Sequence, residues 1–158
     1  MFQVNIETLP ELKLCGVSVR TDMQNAYKDC SGLWEKTFVP LMPSLSGKPL
    51  DEFQGDSYGV SVVVDMESGL FDYWAAMPCV EEGNIPEGMQ SIVLTAGLYA
   101  SCRVESLEQL SAAFSYLYSD WLASHKEYRL AEAPCFELYS EEYMRTGALS
   151  VYIPIQKV

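Results

Sequence analysis

One carboxylate lies in the middle of an apolar and aromatic segment near the C-terminal end, Pro134-Cys135-Phe136-Glu137-Leu138-Tyr139. The composition predicts a strand, in which Glu137 shares one face with Cys135 and Tyr139. Burying a charged side chain costs free energy unless a partner compensates it, and the segment itself contains no positive charge. Glu137 is therefore expected either to lie at a solvated edge or to meet a cationic partner. If that partner is a ligand, the protein is a receptor for cationic aromatic compounds.

Composition limits the kinds of partner. The chain has 158 residues, of which 49% are hydrophobic, and its formal net charge is −12. A chain of this size forms one domain of ordinary size with a real core. The negative charge disfavours contacts with nucleic-acid phosphates and with anionic membranes, and it is compatible with attracting cations. We therefore expect no direct nucleic-acid binding and no membrane binding.

The cysteine and histidine content argues against metal centres and histidine-based catalysis. The five cysteines are scattered singly, without a C-x-x-C pair, and His125 is the one histidine. A multi-histidine metal site or a Ser/His/Asp triad is therefore hard to build, and we expect neither a metal nor a cofactor. Single cysteines in apolar patterns, and an N-terminus without a signal-peptide pattern, lead us to expect a cytoplasmic protein.

Hydrophobic periodicity predicts two amphipathic helices, each flanked by pairs of strands. The helices are expected at about residues 22–39, with Asp22 as N-cap, and 107–124, where Ser106 and Gln109 form a capping box. The strands are expected at residues 2–7, 12–20, 58–65, 70–78, 89–94, 98–104, 135–140 and 148–155. The order is β-β-α-β-β, twice, in halves of about 1–80 and 89–158 joined by a link at residues 81–88.

A short sequence match supports a duplication. Val17-Ser18-Val19-Arg20 before the first helix resembles Ala100-Ser101-Cys102-Arg103 before the second. A duplicated α+β unit is expected to place its two helices on one side of a shared antiparallel sheet. The junction between two such halves is the expected place for a pocket. The expected fold class is therefore α+β, with two pseudo-symmetric halves and a cavity between them.

The chain resembles the GyrI-like small-molecule-binding domains, which include the effector-binding domains of bacterial multidrug-responsive transcription activators. The resemblance covers nearly the whole chain and rests on eight segments in the same order. They are Lys13-Leu14-Cys15-Gly16-Val17, Leu33-Trp34, Tyr58-Gly59-Val60, Phe71-Asp72-Tyr73-Trp74-Ala75-Ala76, Ala96-Gly97-Leu98-Tyr99-Ala100, Trp121-Leu122, Pro134-Cys135-Phe136-Glu137-Leu138-Tyr139 and Val151-Tyr152-Ile153-Pro154-Ile155.

The resemblance implies a ligand cavity between the halves, with Glu137 in the place of the acidic residue that many members use to meet a cationic ligand. The activators carry a separate DNA-binding domain, for which this chain has no room, so direct transcriptional control is not expected. Cooperation with a separate DNA-binding protein or another protein partner stays open, as does the oligomeric state.

A carboxylate among aromatic rings suits a delocalised organic cation, because ring faces and charge neutralisation both stabilise positive charge where water is excluded. Aromatic residues are plentiful, with three Trp, ten Tyr and six Phe. Five in elements that flank the expected cavity are candidates for its wall, with core packing as the alternative for each: Trp34, Tyr58, Phe71, Trp74 and Tyr99. Tyr139 is expected either to hydrogen-bond the Glu137 carboxylate or to be an exposed strand tyrosine.

Three functions are compatible with the sequence. The favoured one is a stand-alone module that binds lipophilic aromatic cations such as drugs or dyes. The second, implied by some members of the family, is a hydrolase of cyclopropane-containing compounds, with Glu137 as general base and a tyrosine such as Tyr99 polarising the leaving group. The third is an acidic protein that modulates a DNA-handling enzyme such as gyrase.

Overall fold

The computed structural model describes residues 2–40, 56–78 and 87–158, and its fold is α+β with antiparallel strand pairing, as predicted. Within these residues the strands are β1 (Val4–Leu9), β2 (Leu12–Thr21), β3 (Ser57–Asp65), β4 (Leu70–Pro78), β5 (Gln90–Leu94), β6 (Gly97–Val104), β7 (Tyr128–Leu130), β8 (Cys135–Tyr139) and β9 (Leu149–Lys157). The chain divides into two compact units: unit 1 comprises Met1–Leu12 and Leu94–Val158, and unit 2 comprises Lys13–Val93.

Unit 2 contains strands in the order β3-β4-β2-β5 and helix α1, which runs as an α-helix over Ala26–Gly32 and as a π-helix over Leu33–Phe38. The helix begins later than predicted. Its first helical residue is Ala26, and Asp22 lies four residues earlier. The Asp22 carboxylate still accepts the backbone N–H of Asn25 at 2.9 Å, which is the contact expected of an N-cap, but here it closes a turn that precedes the helix.

The apolar face of α1 packs on one face of this sheet and forms the core of unit 2. The buried members are Cys15, Val17, Leu33, Phe38, Tyr73, Ala75, Met77 and Met89. Gly16 permits a close approach of β2 to β4, because a Cβ at this position would collide with the Ala75 carbonyl oxygen and would lie 2.7 Å from the Ala76 Cα.

Unit 1 contains strands in the order β1-β6-β9-β8, with β7 also paired to β9. Its long helix, α2, comprises a 3₁₀ turn at Leu107–Gln109, an α-helical segment at Leu110–Ser115, a π-helical segment at Tyr116–Trp121 and a last α-helical turn at Leu122–Ser124. The apolar face of α2 packs on the sheet in a core of Ala100, Cys102, Val104, Ala113, Leu117, Trp121, Leu149, Val151, Ile153 and Ile155.

The capping box predicted for α2 is wrong in detail. The Ser106 side chain makes no capping hydrogen bond. The Gln109 side chain reaches back one residue further than expected and accepts the backbone N–H of Glu105 at 2.8 Å. The Gln109 side chain therefore bonds one backbone N–H just before the helix.

Two short elements were not predicted, strand β7 and helix α3 (Glu141–Thr146). Cys15 is disulfide-bonded, whereas Cys30, Cys102 and Cys135 are not in a disulfide, so the interpretation of the cysteines as single residues is wrong for Cys15. Most of the predicted link, residues 81–86, lies outside the described residues. None of the helices in the described part of the chain is long and apolar enough to cross a membrane.

The strand pairings follow the internal repeat that the sequence match predicted. Ser18 on β2 pairs with Trp74 on β4, and Ser101 on β6 pairs with Tyr152 on β9. The offset in sequence from Ser18 to Ser101 equals the offset from Leu33 to Tyr116. Leu33 and Tyr116 are the first residues of the two π-helical segments. This common offset lets each position of β2 and α1 be matched to a position of β6 and α2.

Candidate functional site

Glu137 is buried in unit 1. It lies on β8, retains 5% of its surface exposed, and pairs with Val151 of β9. Directly paired residues in an antiparallel sheet point to the same face, and Val151 belongs to the core beneath α2. Glu137 therefore faces the helix side of the sheet and does not lie at a solvated edge.

Tyr139 holds the Glu137 carboxylate. Its hydroxyl donates a hydrogen bond to Oε1 of Glu137 at 2.8 Å. The two side chains are two residues apart on one strand and thus share a face. Hydrogen bonds to an ionised acceptor are stronger than neutral ones, so this contact lowers the cost of burying the charge. Of the two roles considered for Tyr139, the structure shows the hydrogen bond to the carboxylate.

A second tyrosine, Tyr143 of α3, adjoins the same group. Its ring meets that of Tyr139 edge-on, with centroids 4.9 Å apart and an interplanar angle of 83°. Burial raises the pKa of the Tyr143 hydroxyl, and the negative charge of Glu137 raises it further. The Glu137 carboxylate is therefore close enough to act electrostatically on Tyr143.

Helix α3 is fixed at both of its ends. In its first turn Glu142 forms an ion pair with Arg103 of β6, and this contact lowers the pKa of the Glu142 carboxyl. At its end the backbone N–H of Gly147, with φ +84°, bonds the carbonyl of Tyr143 at 2.9 Å. A left-handed glycine of this kind is a common helix terminator. These contacts set the position of Tyr143.

Helix α2 contributes one further hydroxyl at this end of β8. Burial raises the pKa of Tyr118, and a side-chain contact with Cys135 raises it further. Cys135 lies two residues before Glu137 on the same strand face. The sequence-based candidates did not include Tyr118 or Tyr143, although Glu141-Glu142, Arg145 and Gly147 are typical signals of a short helix around Tyr143.

Tyr99 lies on the opposite face of the unit 1 sheet from Glu137. Its ring meets that of Phe136 edge-on at 5.5 Å, and its hydroxyl donates to the carbonyl oxygen of Thr95 at 2.6 Å. Phe136 and Glu137 are neighbours in one strand, so their side chains point to opposite faces. Glu137 and Tyr99 are therefore not arranged as a general base and its partner, which is the pairing that the hydrolase alternative gave as its example.

The four unit 2 candidates divide between two faces of their own sheet. Trp34 and Phe71 both pack against the core beneath α1, where the indole N–H of Trp34 donates to the Tyr73 hydroxyl at 2.9 Å. Tyr58 and Trp74 lie on the other face, as their pairings with Ala76 and Val60 show. Trp34 and Phe71 thus share the helix-packed face, and Tyr58 and Trp74 share the other face.

The acidic residue belongs to one repeat only. Trp74 pairs with Val60 of β3, and the matching Tyr152 pairs with Phe136 of β8. The next residue is Ser61 in the first case and Glu137 in the second, so a serine stands in unit 2 where unit 1 has the carboxylate. Within the described ranges no group of three or more His, Cys, Asp or Glu could hold a metal ion. The arrangement around Glu137 is suited to binding an organic cation by charge and by ring contacts.

Comparison with known proteins identifies a family whose profile matches nearly the whole chain. The profile of the Cass2 family, described as integron-associated effector binding protein, matches residues 5–155. No curated protein sequence matches the chain.

Three solved structures with low sequence identity have the same fold. An integron cassette protein from the mobile metagenome of Vibrio cholerae is 18% identical, with a TM-score of 0.70 over 98% of this chain and 97% of that one. SAV2435, solved bound to tetraphenylphosphonium, is 16% identical, with a TM-score of 0.72 over 98% and 94%. The C-terminal domain of EcmrR is 16% identical, with a TM-score of 0.60 over 100% and 99%. The family profile spans nearly the whole chain, and with the shared fold it confirms the resemblance seen in the sequence: the chain belongs to the Cass2 family of GyrI-like effector-binding proteins.

Proposed function

We propose that this protein binds lipophilic aromatic cations at Glu137, with Tyr139 and Tyr143 as the adjoining aromatic side chains. The observation that carries the proposal is a carboxylate with 5% of its surface exposed, held by a tyrosine hydroxyl at 2.8 Å. A bound organic cation neutralises that charge in a site where water competes weakly, so the attraction is much stronger than at the surface.

Selectivity in this proposal follows charge more than shape. Tyrosine rings offer partly negative faces to a cation and apolar area to flat substituents, and neither contact demands one fixed ligand geometry. A carboxylate, in contrast, discriminates strictly between cationic and neutral compounds. Broad acceptance of aromatic cations of different shapes is the expected result.

Two further observations support the proposal. The structurally similar SAV2435 was solved with tetraphenylphosphonium, which is a lipophilic aromatic cation. The net charge of −12 favours the approach of cations over anions. We also propose that the protein acts as a binding module without direct contact with nucleic acid, because clustered basic residues are what phosphate contacts require.

The five aromatic residues that the sequence suggested for the wall of the ligand cavity remain predictions, and we rank them for testing. Trp34 and Phe71 come first, because they lie on the helix-packed face of unit 2, as Glu137 does in unit 1. Tyr58, Trp74 and Tyr99 come second, because they lie on the faces away from the helices.

The test is a calorimetric titration of tetraphenylphosphonium into the wild type, Glu137→Gln and Glu132→Gln. Glu132 is exposed and five residues away, so its substitution makes the same change in net charge without touching the buried carboxylate. Removing one member of a buried charge pair costs about 2–5 kcal/mol, so Glu137→Gln is expected to weaken low-micromolar binding by about 30-fold or more. Glu132→Gln is expected to bind like the wild type. Equal affinities for all three proteins would refute the proposal.

A further inference from the structure

Unit 2 contains a cavity of about 700 Å³ whose lining residues do not include Glu137. It lies between α1, β2 and the residues that lead into β5. Its apolar lining includes the buried side chains of Val17, Leu33 and Met89. Its polar lining includes Asp29 and Thr37 of α1. The volume is within the range of small-molecule sites, which is about 300–1,000 Å³.

The internal repeat shows how the helix that lines this cavity differs from its counterpart in unit 1. In unit 1 the edge strand is β1, and the ring of Phe2 just before it packs on Tyr116 of α2, with centroids 5.8 Å apart. In unit 2 the edge strand is β5, and the residues just before it are Gly88 and Met89. The position of Tyr116 is taken in α1 by Leu33. A smaller aliphatic side chain thus stands on α1 at the position where α2 carries an aromatic ring in contact with Phe2.

The cavity also carries a carboxylate that the other repeat lacks. Asp29 accepts a hydrogen bond from the Thr21 hydroxyl at 2.8 Å, and Thr21 is 4% exposed. The matching residues in unit 1 are Ala112 and Val104, which are apolar. The helix and strand therefore pack in unit 1 without this polar pair. The buried threonine orients the Asp29 carboxylate at the cavity.

We infer that this cavity is a second ligand site, for a primary ammonium compound that carries one aromatic ring. The ammonium group binds the Asp29 carboxylate, which offers a fixed anionic acceptor. The ring packs against the apolar lining of Val17, Leu33 and Met89. This site does not depend on Glu137, so it stands or falls separately from the function proposed above.

The test is a titration of phenethylammonium chloride into the ¹⁵N-labelled protein, followed by amide chemical shifts. The expected result is saturable shifts at residues of α1 and at Gln90, with millimolar affinity. Asp29→Asn keeps the size and the acceptor for Thr21 but removes the charge, so it is expected to weaken binding about tenfold. The neutral analogue 2-phenylethanol is expected to bind the wild type and Asp29→Asn equally.

Two further variants separate this site from others. Thr37→Trp places a large ring at an exposed position of the cavity lining and is expected to abolish the shifts. Glu137→Gln is expected to leave them unchanged. The inference is overturned if the wild type shows no shifts at these residues up to roughly 10 mM. It is also overturned if Asp29→Asn binds phenethylammonium as well as the wild type does, or if Glu137→Gln removes the shifts.

Discussion

Substitution of Tyr139 by phenylalanine tests whether its hydroxyl stabilises the buried carboxylate of Glu137. The change removes one oxygen atom and leaves the ring in place. The lost contact is the hydrogen bond of 2.8 Å from the tyrosine hydroxyl to Oε1. Glu137 is 5% exposed, so water replaces that donor poorly.

The size of the effect follows from the contact. Hydrogen bonds to charged groups contribute about 1.5–3 kcal/mol to stability. Tyr139 is half-buried, so the lower end, about 1.5 kcal/mol, is the expected loss in the free energy of unfolding at pH 7. For a protein of this length, a loss of this size lowers the melting temperature by about 3–6 °C.

The assay is a double-mutant cycle measured by urea unfolding at pH 7. The four proteins are the wild type, Tyr139→Phe, Glu137→Leu and the double variant. Glu137→Leu removes the acceptor, so Tyr139→Phe is expected to cost almost nothing in that background, which gives a coupling of about 1.5 kcal/mol. Tyr27→Phe serves as the matched control, because Tyr27 is 90% exposed and its hydroxyl is expected to contribute little.

A coupling free energy below about 0.5 kcal/mol would refute this reasoning, because effects of that size also arise between independent sites. Equal destabilisation by Tyr139→Phe and Tyr27→Phe would refute it as well. Either result would mean that the hydroxyl of Tyr139 does not stabilise the ionised carboxylate.

Three further experiments test the surroundings of the site and the packing within each unit: a pair of glycine substitutions, a cysteine labelling experiment and a substitution of Glu142. Gly16→Ala forces a Cβ into backbone atoms and is expected to cost about 1–3 kcal/mol. At Gly32, within helix α1, an added Cβ has no atom within 4 Å, so Gly32→Ala is expected to stabilise the fold by about 0.5–1 kcal/mol. Equal shifts in melting temperature for the two glycine variants would contradict this. The Cys102 thiol is 1% exposed, and burial raises its pKa to about 11. We expect it to resist a thiol reagent at pH 8 in the native protein, whereas the partly exposed Cys30 is expected to react. Labelling of both cysteines at the same rate would contradict this. Arg103 lowers the pKa of the Glu142 carboxyl below its ordinary value of 4.5 by donating a hydrogen bond to it. The ion pair therefore stabilises the fold fully above pH 4.5, and this stabilisation is lost as the pH falls through the lowered pKa. We therefore expect the wild type to melt at a higher temperature than Glu142→Gln at pH 7 and at the same temperature near about pH 2. An equal difference at both pH values would contradict this pH dependence.

Much of the fold could be predicted because its signals are local. Periodicity located both long helices, and alternation with turn residues located eight of the nine strands in the described part of the chain. The burial of Glu137 followed from a charge within an apolar strand once the chain was recognised as GyrI-like. The similarity of Val17-Ser18-Val19-Arg20 to Ala100-Ser101-Cys102-Arg103 marked a repeat that the strand pairings reproduce.

The remaining features depend on contacts that sequence spacing does not encode. Strand alternation shows that Glu137 and Tyr139 share a face, but the face of Tyr99 depends on its register with the neighbouring strands. Tyr143 was missed because a helix of six residues is too short for a periodic pattern. The cavity beside Asp29 was missed because it is formed by strand, helix and turn residues that lie far apart in the chain.

The measurement that tests the proposed function most directly is a comparison of ligand charge at constant ligand shape. Methyltriphenylphosphonium and the neutral triphenylphosphine oxide, which carry the same three phenyl rings and differ by a methyl group in place of an oxygen atom, are titrated into the wild type and into Glu137→Gln. The account predicts that the wild type prefers the cation by about 30-fold or more, and that Glu137→Gln removes this preference while its affinity for the neutral compound stays unchanged. A preference for the cation that persists in Glu137→Gln would contradict the account, because the charge that selects the ligand would then lie elsewhere.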